Sequence, residues 1–92
     1  MALTARQKNE LMRTGHNLKP EFVVGAGGVS AAVLEHLRRA FEARELIKVR
    51  IDVEDRDEFR AAASSLAAQA PCEIVKLIGR IALLWRAKPA VE

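Results

Sequence analysis

Three of the five glycines in the chain lie within one short segment, Gly25-Ala26-Gly27-Gly28, which follows the apolar run Phe22–Val24. Glycines leave backbone N–H groups uncovered, and a helix that begins after Ser30 points its own free N–H groups the same way. Such amides bind anions, and small RNA-binding domains clamp the nucleic-acid backbone with G-x-x-G loops. Because a tight strand-to-helix turn also needs glycine for its own geometry, the segment alone leaves both interpretations open.

Basic residues are expected on the elements around this loop. A lysine precedes the strand that leads into the loop, the next strand presents two cations on its polar face, and the first helix carries three more. If that helix packs beside the loop, five or six cations would surround the glycines. The predicted RNA-binding residues are Gly25, Ala26, Gly27, Gly28, Lys19, Arg6, Lys8, Arg13, Lys48 and Arg50.

Aromatic residues make up only 4% of the chain. Phe22, Phe41 and Phe59 are predicted to lie in the core, which leaves Trp85 as the single ambiguous ring. Stacking platforms for splayed single-stranded bases are therefore nearly absent, and the sequence favours recognition of nucleic-acid backbone and shape.

Residues that could catalyse a reaction or bind a metal are few. His16 and His36 do not stand in a metal-binding spacing, and Cys72 is predicted to be a small buried hydrophobe. Paired carboxylates occur only in the acidic run Glu54–Glu58, which is explained by the start of a helix, where carboxylates are stabilising. The P-loop pattern is absent as well. We therefore predict no catalytic residue, no metal site and no cofactor.

The composition is typical of one small domain, since the 92 residues are 50% hydrophobic and 29% charged. Fifteen basic residues against twelve acidic ones give a net charge of +3, and both chain ends are basic. No apolar stretch approaches the ~20 residues that a membrane span needs, and no secretory signal is visible. The lone Cys72 excludes an internal disulfide, so we expect a cytoplasmic protein.

Local signals divide the chain into helices and strands. Thr4 and Gln7 have the spacing of a capping box, so a first helix is predicted to begin after Thr4 and to end near Gly15, in the left-handed C-terminal position. The later elements are predicted as a buried strand over Phe22–Val24, a helix after Ser30, a strand with one polar face over Leu46–Val53, a helix from Asp55, and strands over Glu73–Ile78 and Ile81–Arg86.

This order of elements predicts an α/β fold in a single domain over residues 1–92, with an ordered core over about 3–86 and a short C-terminal tail. Strands that are separated by helices imply crossovers, and a tight turn at Gly79-Arg80 joins the last two strands, so we expect a mixed sheet of four strands packed with helices. Because the hairpin carries apolar residues on both faces, we expect it to lie inside the sheet.

A series of sequence blocks agrees, in order and spacing, with one known family. The blocks are Leu3-Thr4, Gln7-Lys8, Leu11, His16-Asn17-Leu18-Lys19-Pro20, Gly25-Ala26-Gly27-Gly28-Val29-Ser30, Glu45-Leu46-Ile47-Lys48-Val49-Arg50, Ile78-Gly79-Arg80 and Leu84-Trp85-Arg86. Over about residues 3–86 the chain thus resembles the CRM domain, known in its stand-alone bacterial form as YhbY. It departs from the family's usual pattern at Ala26 and Gly27, where a polar or basic residue is common, and at Trp85, where tyrosine is more usual.

The resemblance implies an RNA-binding module with a fold similar to the C-terminal domain of bacterial translation initiation factor three. Bacterial members of the family associate with precursors of the large ribosomal subunit, and plant relatives act in organellar intron splicing. By position, Gly25–Gly28 would be the phosphate clamp and Lys19 an accompanying cation. We therefore expect a monomeric, non-enzymatic protein that contacts structured ribosomal RNA during assembly of the large subunit.

The alternative is a protein-interaction adaptor on ribosomal particles that makes no RNA contact. In that case the acidic start of the third helix would meet a basic ribosomal protein, and the glycine segment would be only a turn.

Overall fold

The computed structural model describes residues 3–25 and 28–87, and it has three helices and four strands in the predicted order. The elements are α1 (Ala5–His16), β1 (Phe22–Val24), α2 (Ala31–Ala43), β2 (Leu46–Ile51), α3 (Arg56–Gln69), β3 (Glu73–Ile78) and β4 (Ile81–Trp85). The predicted α/β class is confirmed. Within the described ranges, no helix has the length and apolar character needed to cross a membrane.

The four strands form one mixed sheet in the order β1-β2-β4-β3. β1 runs parallel to β2, whereas β4 is antiparallel to both β2 and β3. The prediction that the hairpin lies inside the sheet was wrong for β3, which is an edge strand, and right for β4. Helices rather than neighbouring strands cover Val75 and Leu77 of β3, because Val75 belongs to the cluster under α1 and Leu77 packs against the core on the opposite face, whereas Ile78 at the end of the strand is exposed.

Helices lie on both faces of the sheet. On one face, α2 and α3 enclose the main core, in which Leu37, Leu66 and Leu84 have no exposed surface. On the other face, Leu11 of α1 packs against a smaller cluster that contains Leu83. The sheet therefore separates α1 from α2, and this separation decides which cations can reach the glycine loop.

Gly15 lies within α1 and not in the predicted left-handed C-terminal position. The helix continues to His16 and is capped by Asn17, whose φ is −93°. A Cβ atom on Gly15 would come within 2.7 Å of the Leu83 side chain. The missing side chain thus allows the helix to approach the sheet closely.

β1 is only partly buried, although a buried strand was predicted. Val24 is fully buried, but Val23 is 56% exposed. β1 is an edge strand, and α1 packs mainly against β2 and β3, which leaves Val23 largely uncovered. The prediction was therefore wrong for Val23.

Thr4 begins α1 with the predicted capping box, because its Oγ1 accepts a hydrogen bond from the Gln7 N–H at 3.1 Å and the Thr4 N–H donates to Gln7 Oε1 at 2.8 Å. Thr4→Ala leaves the Gln7 N–H without this partner and is expected to lower the free energy of unfolding by about 1 kcal/mol. Urea denaturation measures the loss, with Thr4→Ser as the control that keeps the hydroxyl. Equal losses in the two variants would contradict the capping role.

Candidate nucleic-acid interface

The glycine loop connects the end of β1 to the start of α2. The Gly28 N–H donates to the Gly25 carbonyl oxygen at 3.0 Å, which brings the two outer glycines together. Gly28 has φ +79°, in the left-handed region that favours glycine. Ala26 and Gly27, which the sequence also assigns to the clamp, lie outside the described residues.

Gly25 differs from Gly28 because the fold itself does not require it. Its φ is not positive, it is exposed, and a Cβ built on it would meet nothing within 4 Å. The space in front of its backbone is therefore open to a ligand.

The first turn of α2 presents free backbone amides beside this space. Ser30 is the N-cap, and its hydroxyl accepts a hydrogen bond from the Val33 N–H at 3.2 Å. The next two residues, Ala31 and Ala32, are exposed, and the first turn carries no acidic side chain. The positive end of this helix dipole is therefore not neutralised by its own residues, and an anion is favoured there.

The first turn of α3 is different, because its own carboxylates occupy the positive end of the helix. The Asp55 side chain accepts a hydrogen bond from the Glu58 N–H at 3.0 Å, and both Asp57 and Glu58 lie in the first turn. This geometry confirms that helix capping explains the acidic cluster. It also leaves α2 as the helix whose N-terminus can receive an anion next to the glycine loop.

Three predicted cations lie together on the α1 side of the sheet, near β1. Arg50 is exposed and is the register partner of Val23 on the neighbouring strand. Lys48 is half-buried, and its Nζ donates to the Leu18 carbonyl oxygen at 3.0 Å, which holds the α1–β1 connection against β2. Lys19 is the next residue of that connection and is exposed. The strand that enters the loop is therefore flanked by positive charge.

The cations of α1 reach the loop only in part, because α1 packs mainly against β2 and β3. Arg13 lies in the last turn of the helix. Arg6 is in the first turn, where it pairs with Glu10 (Nε to Oε1, 3.8 Å), and Lys8 follows it. The adjacent Gln7 lines a cavity with Trp85, at the end of the sheet away from the loop. The structure therefore does not gather Arg6 and Lys8 at the glycines.

Arg80 is a charged residue near the loop that the sequence did not single out as a site residue. Its guanidinium donates to Asp52 Oδ1 at 3.0 Å and lies 3.9 Å from Glu54 Oε1. Asp52 itself donates its backbone N–H to the Val24 carbonyl oxygen, so these carboxylates lie beside the strand that enters the loop. The positive charge of Arg80 weakens the repulsion between these two carboxylates and an anion at the loop. No sequence signal could reveal this pairing, because it depends on how the sheet brings two separate turns together.

One known family matches nearly the whole chain. The family model of the CRS1/YhbY (CRM) domain matches residues 3–86. The chain belongs to the CRM domain family. The resemblance predicted from the sequence blocks is confirmed.

Relatives of this CRM domain include stand-alone bacterial proteins of similar length. It is 42% identical to a protein of Pseudomonas aeruginosa named as a probable RNA-binding protein, over 97% of this chain and 86% of the relative. It is 34% identical to YqeI of Bacillus subtilis, which bears the same description, over 91% and 88%. The solution structure of a hypothetical protein from Staphylococcus aureus aligns with a TM-score of 0.85 at 30% identity, covering 99% of this chain and 95% of that one.

The single cysteine of this CRM domain packs against the core. Cys72 is partly buried against the main core. Burial raises the pKa of the Cys72 thiol to about 11; the positive charge of Arg86 opposes this rise, and the negative charge of Glu73 adds to it. A thiol with so high a pKa is protonated at neutral pH and is a poor nucleophile.

The raised pKa predicts slow alkylation of the folded protein. At pH 8 we expect iodoacetamide to modify Cys72 about tenfold or more slowly in buffer than in urea, because the folded thiol is rarely ionised. Mass spectrometry over time gives both rates, and equal rates would contradict the burial.

The same raised pKa affects the stability of the fold at high pH. Since the ordinary pKa is 9.0, the contribution of the neutral thiol to the free energy of unfolding is complete below pH 9 and is lost as the pH rises toward 11.

Proposed function

We propose that this protein binds structured RNA by holding the sugar-phosphate backbone on the glycine loop and the first turn of α2. The observation that carries the proposal is the open, uncompensated N-terminus of α2 beside Gly25. Arg50, Lys19 and Lys48 supply positive charge next to it. The names of the bacterial relatives support RNA as the ligand.

The finer assignment is to ribosomal RNA in precursors of the large subunit, as the family resemblance implies. On this proposal the protein acts in the cytoplasm as a monomer, and it contributes binding without catalysis or a cofactor. Arg6, Lys8 and Arg13 lie along α1 and would contact RNA only where it extends past the loop.

Binding to a structured ribosomal RNA fragment tests the proposal. Fluorescence anisotropy at several salt concentrations, with duplex DNA as competitor, should show RNA binding that weakens with salt and that DNA competes for poorly. Each phosphate neutralised adds about 0.9 or less to the slope of log affinity against log salt. Equal binding of RNA and DNA would contradict recognition of RNA shape, and absence of binding at low salt would contradict the proposal as a whole.

The adaptor alternative is less well supported. The acidic first turn that would meet a basic partner is used to cap α3, and Asp52 and Glu54 are paired with Arg80. These contacts give the carboxylates a role inside the domain.

A further inference from the structure

The face of the sheet that α1 covers is open at its end nearest the glycine loop. The pairing of the strands puts four residues in one row across that end, in the order Val23, Arg50, Ile81 and Ile78. Val23 is 56% exposed and Ile78 is 61% exposed, and these are the exposed large hydrophobic residues of the described chain. Neighbouring strands are about 4.8 Å apart, so the row spans about 14 Å. We call these four residues the open row.

The open row is exposed because α1 ends before reaching it. Gly15, in the last turn of the helix, packs against Leu83, which lies in the next row of the same face. The chain then turns away through Asn17 toward β1. Since both Val23 and Ile78 are on edge strands, no strand within the described residues shields them on their outer sides.

A groove of about 210 Å³ lies between the last turn of α1 and the open row. Its polar lining comes from His16, Lys48 and Lys76, and its apolar lining includes Ile78 and Ile81. No carboxylate lines it within the described part of the chain. The groove therefore combines an apolar floor with lysine side chains whose positive charge is not neutralised by any carboxylate of its described lining.

We propose that the open row and this groove bind an unpaired nucleotide of the RNA whose backbone lies on the glycine loop. The inference rests on the proposed function and adds a specificity to it. The aliphatic side chains would pack against the flat face of a base, and the planar guanidinium of Arg50 offers a surface on which a base can stack. Lys48 and Lys76 would neutralise the flanking phosphates.

Continuity with the loop favours RNA over an acidic protein segment as the occupant. Val23 lies on β1 two residues before Gly25, a distance of about 7 Å along an extended backbone. A nucleic-acid strand held at the loop therefore passes directly beside the open row. The scarcity of aromatic residues argued against base recognition, but an exposed aliphatic row beside an arginine is visible only once the strands are paired.

The test compares two RNA duplexes that differ by one unpaired nucleotide. The wild-type protein should bind the interrupted duplex about fivefold or more tightly than the perfect one. The double variant Val23→Thr, Ile78→Thr keeps β-branched residues on both strands but removes apolar surface, and it should lose this preference while retaining its affinity for the perfect duplex. Ala68→Ser, at an exposed position on α3, is the matched control and should behave like the wild type.

A photoreactive base at the unpaired position adds an independent measurement, because it should crosslink to peptides that contain Ile78 or Val23. Equal wild-type affinity for the two duplexes, or an unchanged preference in the double variant, would overturn the inference while leaving backbone binding at the loop intact. Failure of the proposed function is distinguishable, since neither duplex would then bind.

Discussion

Gly25→Asp is expected to weaken the binding of structured RNA about tenfold or more while the protein remains folded. A carboxylate at this position would meet the phosphate that the loop amides and the α2 N-terminus are proposed to hold, and like charges about 4 Å apart repel by about 1 to 4 kcal/mol, depending on the local dielectric. The fold should tolerate the change, because the position has no positive φ and open space surrounds it.

Gly25→Ala separates charge from shape in this experiment. Its small side chain should reduce affinity less than aspartate does, and its thermal unfolding should match that of the wild type. Gly28→Ala is not a suitable control, since its φ of +79° would strain the fold itself. If Gly25→Asp is folded by circular dichroism and binds RNA as the wild type does, the loop is not the clamp.

Removing the charge of Arg50 should give the next largest loss of affinity. Arg50 is exposed, lies beside Val23 on the strand that enters the loop, and has no ion pair among residues 3–25 and 28–87. We expect Arg50→Gln to weaken RNA binding about threefold to tenfold and to lower the log–log salt slope by about 0.9 or less, as for the loss of one phosphate contact.

Arg39→Gln is the matched control for Arg50→Gln. It removes the same charge, but Arg39 lies on α2 on the opposite side of the sheet and pairs with Glu35 at 3.0 Å. The control should bind RNA almost as the wild type does. Equal losses in the two variants would mean that only net charge matters, which would contradict a defined interface.

Local rules were sufficient to predict the order of the elements. The capping box at Thr4 and the carboxylate cap at Asp55 both form as their spacing indicated. The turn at Gly79-Arg80 also forms with glycine first, at φ +58°. These features depend on residues a few positions apart, and their physics is visible in the sequence.

What the sequence could not predict depends on packing between distant segments. The apolar residues of β3 indicated an interior strand, but helices on the two faces of the sheet can cover part of an edge strand, as they cover Val75 and Leu77. Gly15 resembled a helix terminator because the residue that it packs against, Leu83, is distant in the sequence. The packing of α1 is also why Arg6 and Lys8 do not lie at the glycine loop as expected. The pairing of Arg80 with Asp52 and the exposure of the open row depend on distant segments as well, so the sequence did not reveal them.

The most direct test of the account is an NMR titration of the ¹⁵N-labelled protein with a structured ribosomal RNA fragment. We predict that the amide signals of Gly25, Ala31 and Ala32 shift most, because those N–H groups would receive the phosphate. Signals from the far end of α3, such as Ala68, should change little. Shifts confined to the acidic start of α3, or an absence of shifts at the loop under conditions where RNA binds, would contradict the central claim.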